Sequence, residues 1–132
     1  MAADDVLVVN TGRELNVDAL LALGAVAPIW LQQGVSDQVV AAADVDLIDK
    51  TGCAEDRVEG TDTKVSNYTY RVVGTILKSG DALIREVGTF NAADASAPPD
   101  GDTMFLRAMF DVISMKDGNS IEYTIDTLIS AT

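Results

Sequence analysis

Residues 82–110, ALIREVGTFNAADASAPPDGDTMFLRAMF, pair two strongly patterned segments across one polar, proline-containing loop. Residues 82–90 are short, apolar and β-branched at their centre. Residues 103–110 alternate, with Met104, Leu106, Ala108 and Phe110 on one side and Phe105, Arg107 and Met109 on the other. Two antiparallel strands are expected. Gly88 inside the first of them predicts a bulge or a close backbone approach, since glycine otherwise weakens a strand. The loop at 91–102, stiffened by Pro98 and Pro99, reads either as a contact loop or as a solvated insertion.

The flanking segments extend this pattern. Residues 64–77 form the longest strand candidate, with Tyr68, Tyr70, Val72 and Ile76 on one face and Asn67, Thr69, Arg71 and Thr75 on the other. Lys78-Ser79-Gly80-Asp81 reads as a compact hairpin turn and residues 115–119 as another. Residues 120–129 alternate cleanly, placing Ile121, Tyr123, Ile125, Thr127 and Ile129 on one side. A four-stranded antiparallel meander over about residues 65–129 follows, and its apolar face needs a second layer from the N-terminal part.

That N-terminal part reads as a strand at residues 5–10, a turn at Thr11-Gly12, and a short helix over about residues 16–24. Asn16 serves as N-cap, Asp18 lies in the first turn and Gly24 is the stop. Leu15, Ala19, Leu20 and Leu23 supply the helical spacing. Residues 25–32 return to strand character, held to an edge or a first position by Pro28. Residues 34–43 read as irregular or as a single helical turn, and 54–62 as a charged loop. The fold class expected is mainly β: one antiparallel β-sandwich domain over residues 1–132 with a short N-terminal helix.

Composition narrows the function. Acids outnumber bases 21 to 9, for a net charge of −12. Self-repulsion of that size destabilises a small domain in dilute buffer. At about 1 M salt the screening length falls to roughly 3 Å and most of the repulsion disappears. A carboxylate-rich surface with few lysines therefore suits a very salty solvent. The same sign leaves nothing to neutralise a phosphate backbone, so no nucleic-acid partner is expected. The longest uncharged apolar run, residues 19–31, is shorter than the ~20 residues of a membrane span and is broken by Pro28, so no membrane partner is expected. Asp4 and Asp5 stand where a secretory signal would carry basic residues.

Candidate chemistry is sparse. The chain has no His, and its single cysteine, Cys53, has neither a disulfide partner nor an activating imidazole. No phosphate-binding glycine loop is present, and the acids fall mostly in turns, so no enzymatic activity and no cofactor are expected. Asp44, Asp46 and Asp49 are close enough in sequence to invite a calcium reading, although their spacing does not fit an EF-hand loop and three nearby acids are ordinary in so Asp-rich a chain. Trp30, Met104, Phe105 and Met109 are the candidates for apolar contacts with other subunits, or else core residues.

One resemblance adds to this reading. Ile84-Arg85-Glu86-Val87-Gly88-Thr89-Phe90-Asn91-Ala92, a variable loop, Thr103-Met104-Phe105-Leu106-Arg107-Ala108-Met109-Phe110, and then Gly118-Asn119-Ser120-Ile121 with Tyr123-Thr124-Ile125 resemble small structural proteins of tailed viruses. Those proteins typically read I-T-E-x-G-L-F-N-A, then G-G-T-M-L-A-R-A-T-F, then G-D-S-I-x-x-T. The resemblance covers the C-terminal half and is thin before Val65; Arg85 and the inserted residues 95–99 depart from it. It implies a virion component, most naturally a capsid decoration or turret protein on the head surface. The partners implied are the major capsid protein, or tail proteins, and other copies of itself as a homotrimer or homopentamer. Its place would be the virion, after assembly in the host cytoplasm. With the acidity, the resemblance points to a virus of a salt-loving archaeon. A tail or fibre-base component, or a small ligand- or glycan-binding β module, are the alternatives.

Overall fold

The computed structural model describes residues 9–53, 55–93 and 103–130. Among them the chain forms α1 (Asn10–Ala22), β1 (Trp30–Gly34), β2 (Val58–Glu59), β3 (Thr61–Ser66), β4 (Thr69–Leu77), β5 (Ala82–Phe90), β6 (Met104–Met115) and β7 (Ser120–Leu128). The strands make two antiparallel sheets, ordered β2-β1-β5-β6 and β3-β4-β7. The fold is mainly β and sandwich-like. Of the strand expected at residues 5–10, only Val9 and Asn10 lie within the described residues, as the cap and first residue of α1. The loop at 91–102 lies outside them beyond residue 93.

β5 and β6 pair as their patterns predict, but the meander does not form. β4 pairs with β7 over nine consecutive residues, from Thr69 opposite Leu128 to Leu77 opposite Ser120. β5 instead pairs with β1 and β6. The turns at 78–81 and 116–119 thus cross between sheets rather than closing hairpins within one. They are pinned to each other: the Lys78 amide donates to the Asn119 carbonyl at 2.7 Å, and the Gly118 amide to the Lys78 carbonyl at 2.9 Å. The buried Lys78 ammonium lies 2.6 Å from Glu55 Oε1 and donates to the carbonyls of Gly52 and Ser79 at 2.6 Å. Its three protons are thereby satisfied by one carboxylate and two backbone oxygens.

The strand expected over 64–77 is two strands. Ser66 breaks it, its hydroxyl accepting from the Tyr68 amide at 3.3 Å and bonding Thr69 Oγ1 at 2.9 Å. This is the local competition by which serine favours turns. The charged loop expected at 54–62 carries β2 and the start of β3, with Gly60 turning the chain from one sheet to the other. The inward residues of β4 and β7 match their alternation: Tyr70, Val72, Ile76 and Tyr123 are buried, and Ile121 and Ile125 pack against them.

The core lies between the sheets, where Leu31 and Val87 of one meet Tyr70, Val72 and Ile76 of the other. Close approach needs two glycines at one point. A Cβ on Gly74 would stand 2.4 Å from Leu31 Cδ1, and one on Gly60 would stand 2.9 Å from the same methyl and 2.8 Å from Val72 Cγ1. Helix α1 starts at Asn10 rather than at Asn16, and Val9 caps it without a side-chain bond. Tertiary contacts hold its first turns instead. Arg13 Nε donates to the Ile129 carbonyl at 2.7 Å while its guanidinium lies 3.9 Å over the Tyr68 ring. Val17, Leu20 and Leu21 face the core, while Leu15 is exposed. No helix among the described residues is long and apolar enough to cross a membrane.

Residues 35–50 cover the outer face of the first sheet as a third layer. Leu47 lies against Gly88, where a Cβ would stand 3.0 Å from Leu47 Cδ2; this is the close approach that Gly88 predicts. Arg57 stacks 3.6 Å over the Phe90 ring and donates to Gln32 Oε1 at 3.1 Å. β5 is therefore buried on both faces through its second half.

Gly74→Ala is expected to cost about 1–3 kcal/mol through overpacking, and less in a Leu31→Val background that opens the space. Urea unfolding of the four proteins of this cycle checks it; equal costs in both backgrounds would contradict the packing.

Candidate functional site

The opening of β6 joins two features: a buried ionic group beneath the sheet surface and an apolar platform above it. Arg107 lies opposite Gly88, so no β5 side chain blocks its path. Its Nη2 lies 3.1 Å from Glu86 Oε2 and 2.8 Å from the Gln38 carbonyl, and its Nη1 lies 3.2 Å from Asp44 Oδ2. The side chains of Arg107 and Glu86 are 2% and 0% exposed. Glu86 Oε1 also accepts from the Ile48 amide at 2.9 Å. Gly34 makes room for this carboxylate, since a Cβ there would stand 2.8 Å from Oε1. One guanidinium and two carboxylates therefore tie β5, β6 and the covering segment together where water is excluded.

Above this group, β6 carries one residue more than β5 can match: Thr89 faces Leu106 and Phe90 faces Met104, leaving Phe105 without a partner. Such a bulge re-aims its side chain. Phe105 stands 41% exposed between three clefts. One of about 320 Å³ is lined by Val40, Ala41, Ala42 and Asp44 with the start of β6. A second, of about 300 Å³, runs along α1 through Asn16, Ala19, Leu20, Leu23 and Ile129. The third, of about 250 Å³, is formed by Leu20, Leu23, Val26, Pro28, Asn91, Thr103 and Met104. Leu23 and Val26 are exposed at its rim. The second and third clefts present mostly carbon, while the first is mixed, and the guanidinium at its floor offsets one of the two carboxylates it meets. The arrangement suits binding by buried area.

The residues singled out from the sequence divide. Met104 and Phe105 meet on this platform, and Met109 lies further along β6, half-buried and opposite Glu86. Trp30 does not join them: it is half-buried and packed against the main core, in register with Phe90. Asp44, Asp46 and Asp49 are not brought together. Asp44 binds Arg107, Asp46 binds Lys50 at 2.8 Å, and Asp49 accepts from the Thr51 amide at 2.9 Å. Among the described residues no group of three potential ligands could hold a metal ion. The ionic group of Glu86, Arg107 and Asp44 is what sequence reasoning missed. Its one legible signal was a Glu and an Arg on two paired strands otherwise rich in apolar residues.

Cys53 is buried near Ile84 and Met115. Burial, reinforced by Glu55, pushes its thiol up to about 11. Neither protein-family models, nor curated proteins, nor solved structures give a match to this chain.

Arg107→Ala is expected to destabilise the fold by about 3–5 kcal/mol, because it strands two buried carboxylates. Arg71→Ala, which opens the exposed pair with Asp126 at 2.7 Å, is expected to cost less than about 1 kcal/mol. Chemical denaturation of both variants checks the contrast. Iodoacetamide at pH 8 should label Cys53 at least about tenfold more slowly in the native than in the urea-unfolded protein, since only the thiolate reacts.

Proposed function

We propose that this chain is a structural subunit of a tailed-virus particle, a capsid decoration or turret protein that assembles as a symmetric oligomer on the head surface. The observation that carries the assembly part is the apolar platform around Phe105 on a chain of net charge −12. So acidic a surface keeps particles apart, and a carbon-lined patch within it is where close contact costs least desolvation. The virion part rests on the resemblance of residues 84–92, 103–110 and 118–125 to small tailed-virus proteins. Residues from α1, the segment after it and β6 all converge on Phe105, so a neighbouring subunit docked there buries surface from three parts of the chain.

The role is mechanical. Each subunit contact must open before the shell can rupture, so area shared among neighbours resists internal pressure. Threefold and fivefold positions of a capsid offer sites for a trimer or a pentamer. Charge repulsion between copies opposes this assembly in dilute buffer and is screened in strong salt.

Size exclusion with light scattering, at low salt and at about 2 M salt, tests the proposal. The wild type is expected to form a discrete trimer or pentamer at high salt. Phe105→Asp is expected to stay monomeric there with an unfolding midpoint close to that of the wild type. A wild-type monomer at both salts would contradict self-assembly through this surface.

A further inference from the structure

Among the described residues each sheet ends in two edge strands, and three of these four are protected. β2 is only two residues long. β3 has an irregular register between Lys64 and Ser66, and Lys64 ties it to α1 through Glu14 at 2.7 Å and Asp18 at 3.0 Å. β6 breaks register twice against β5. Short length, bulges and cover are the devices by which proteins block unwanted strand pairing. β7 uses none of them. It runs nine residues against β4 with no register shift and contains no Pro, Gly or Lys. No strand among the described residues pairs with its other side.

What guards β7 is charge. On its outer face stand Ser120, Glu122, Thr124, Asp126 and Leu128. Two copies paired antiparallel about Thr124 would set Glu122 of each directly opposite Asp126 of the other. Registers shifted by one step leave the same acids diagonal and still within reach. Each copy also brings a net charge of −12. Glu122 makes no ion pair among the described residues, and Asp126 shares its charge with Arg71. The pattern repels this chain itself and favours a strand of opposite sign.

We propose that the outer edge of β7, unpaired among the described residues, is a strand-addition site for an extended segment of a different protein, one that carries basic residues opposite Glu122 and Asp126. Main-chain hydrogen bonds along the nine-residue edge supply the affinity, and the two acids supply the choice of partner. This site is separate from the platform around Phe105, and it stands or falls independently of the proposed self-assembly.

Three synthetic nine-residue peptides test it by fluorescence anisotropy at low salt, with hydrogen exchange on the protein. One alternates Val with Lys and Thr, one replaces Lys by Glu, and one keeps the Lys but carries two prolines. The first is expected to bind saturably, at least about tenfold tighter than either of the others, and to slow exchange at β7 amides. Glu122→Lys with Asp126→Lys is expected to reverse the preference toward the Glu peptide while leaving the fold intact, since both positions are exposed. Equal binding of the proline peptide would show mere attraction between opposite charges and overturn the proposal. Binding without protection of β7 would overturn it too, as would β7 amides already protected by self-association before any peptide is added.

Discussion

The buried contact of Arg107 with Glu86 and Asp44 is the constraint on which the rest of this structure depends. A guanidinium so enclosed is tolerated only when its charge is met, and here Asp44, Glu86 and the Gln38 carbonyl engage its two terminal nitrogens, while Nε has no partner among the described residues. The geometry demands neighbours that stay out of the way, so Gly88 faces Arg107 and Gly34 faces Glu86. It also demands that residues 35–50 close over the sheet, which brings Leu47 onto Gly88 and turns the second half of β5 into a strand buried on both faces. The register of β6 on β5 is thereby fixed beside the point where Phe105 bulges outward. A flexible surface phenylalanine would lose entropy on docking, whereas one held by a bulge next to a buried ionic lock is already placed.

Charge and carbon divide the surface between them. The acids keep the molecule hydrated and repel its copies, while the platform beside α1 is the region where little charge has to be desolvated. Salt connects the two. Screening removes the long-range repulsion without weakening apolar burial, so under the proposed assembly contacts at Phe105 are expected to strengthen where repulsion fades. The outer face of β7 adds a local rule, because Glu122 and Asp126 act most strongly on what is laid directly beside them.

Much of the β structure was legible because half-buried strands repeat every two residues. The inward sets of β4 and β7 follow from that period, and the pairing of β5 with β6 from two such segments joined across one polar loop. That β4 pairs with β7 and β5 with β1, and not with each other, does not follow, because local alternation is the same whether a turn closes a hairpin or crosses between sheets. The pinning of Lys78 to Asn119 and Gly118 decides that, across about forty residues of chain. The early start of α1 was hidden for a similar reason: Arg13 is anchored by Ile129, at the far end of the sequence. The site was half legible. Met104 and Phe105 stood out as apolar residues on an alternating strand, but Trp30 looks the same in sequence whether it is core or surface. Asp44 gave no sign that it would reach Arg107, since acids are abundant throughout.

The most direct test of the account is hydrogen exchange on the protein at about 2 M salt, compared between dilute and concentrated samples. Slower exchange on concentration, confined to the start of β6 and the C-terminal turn of α1, is the result predicted for subunits that meet at Phe105. Protection that appears elsewhere, or a profile independent of concentration, would contradict it.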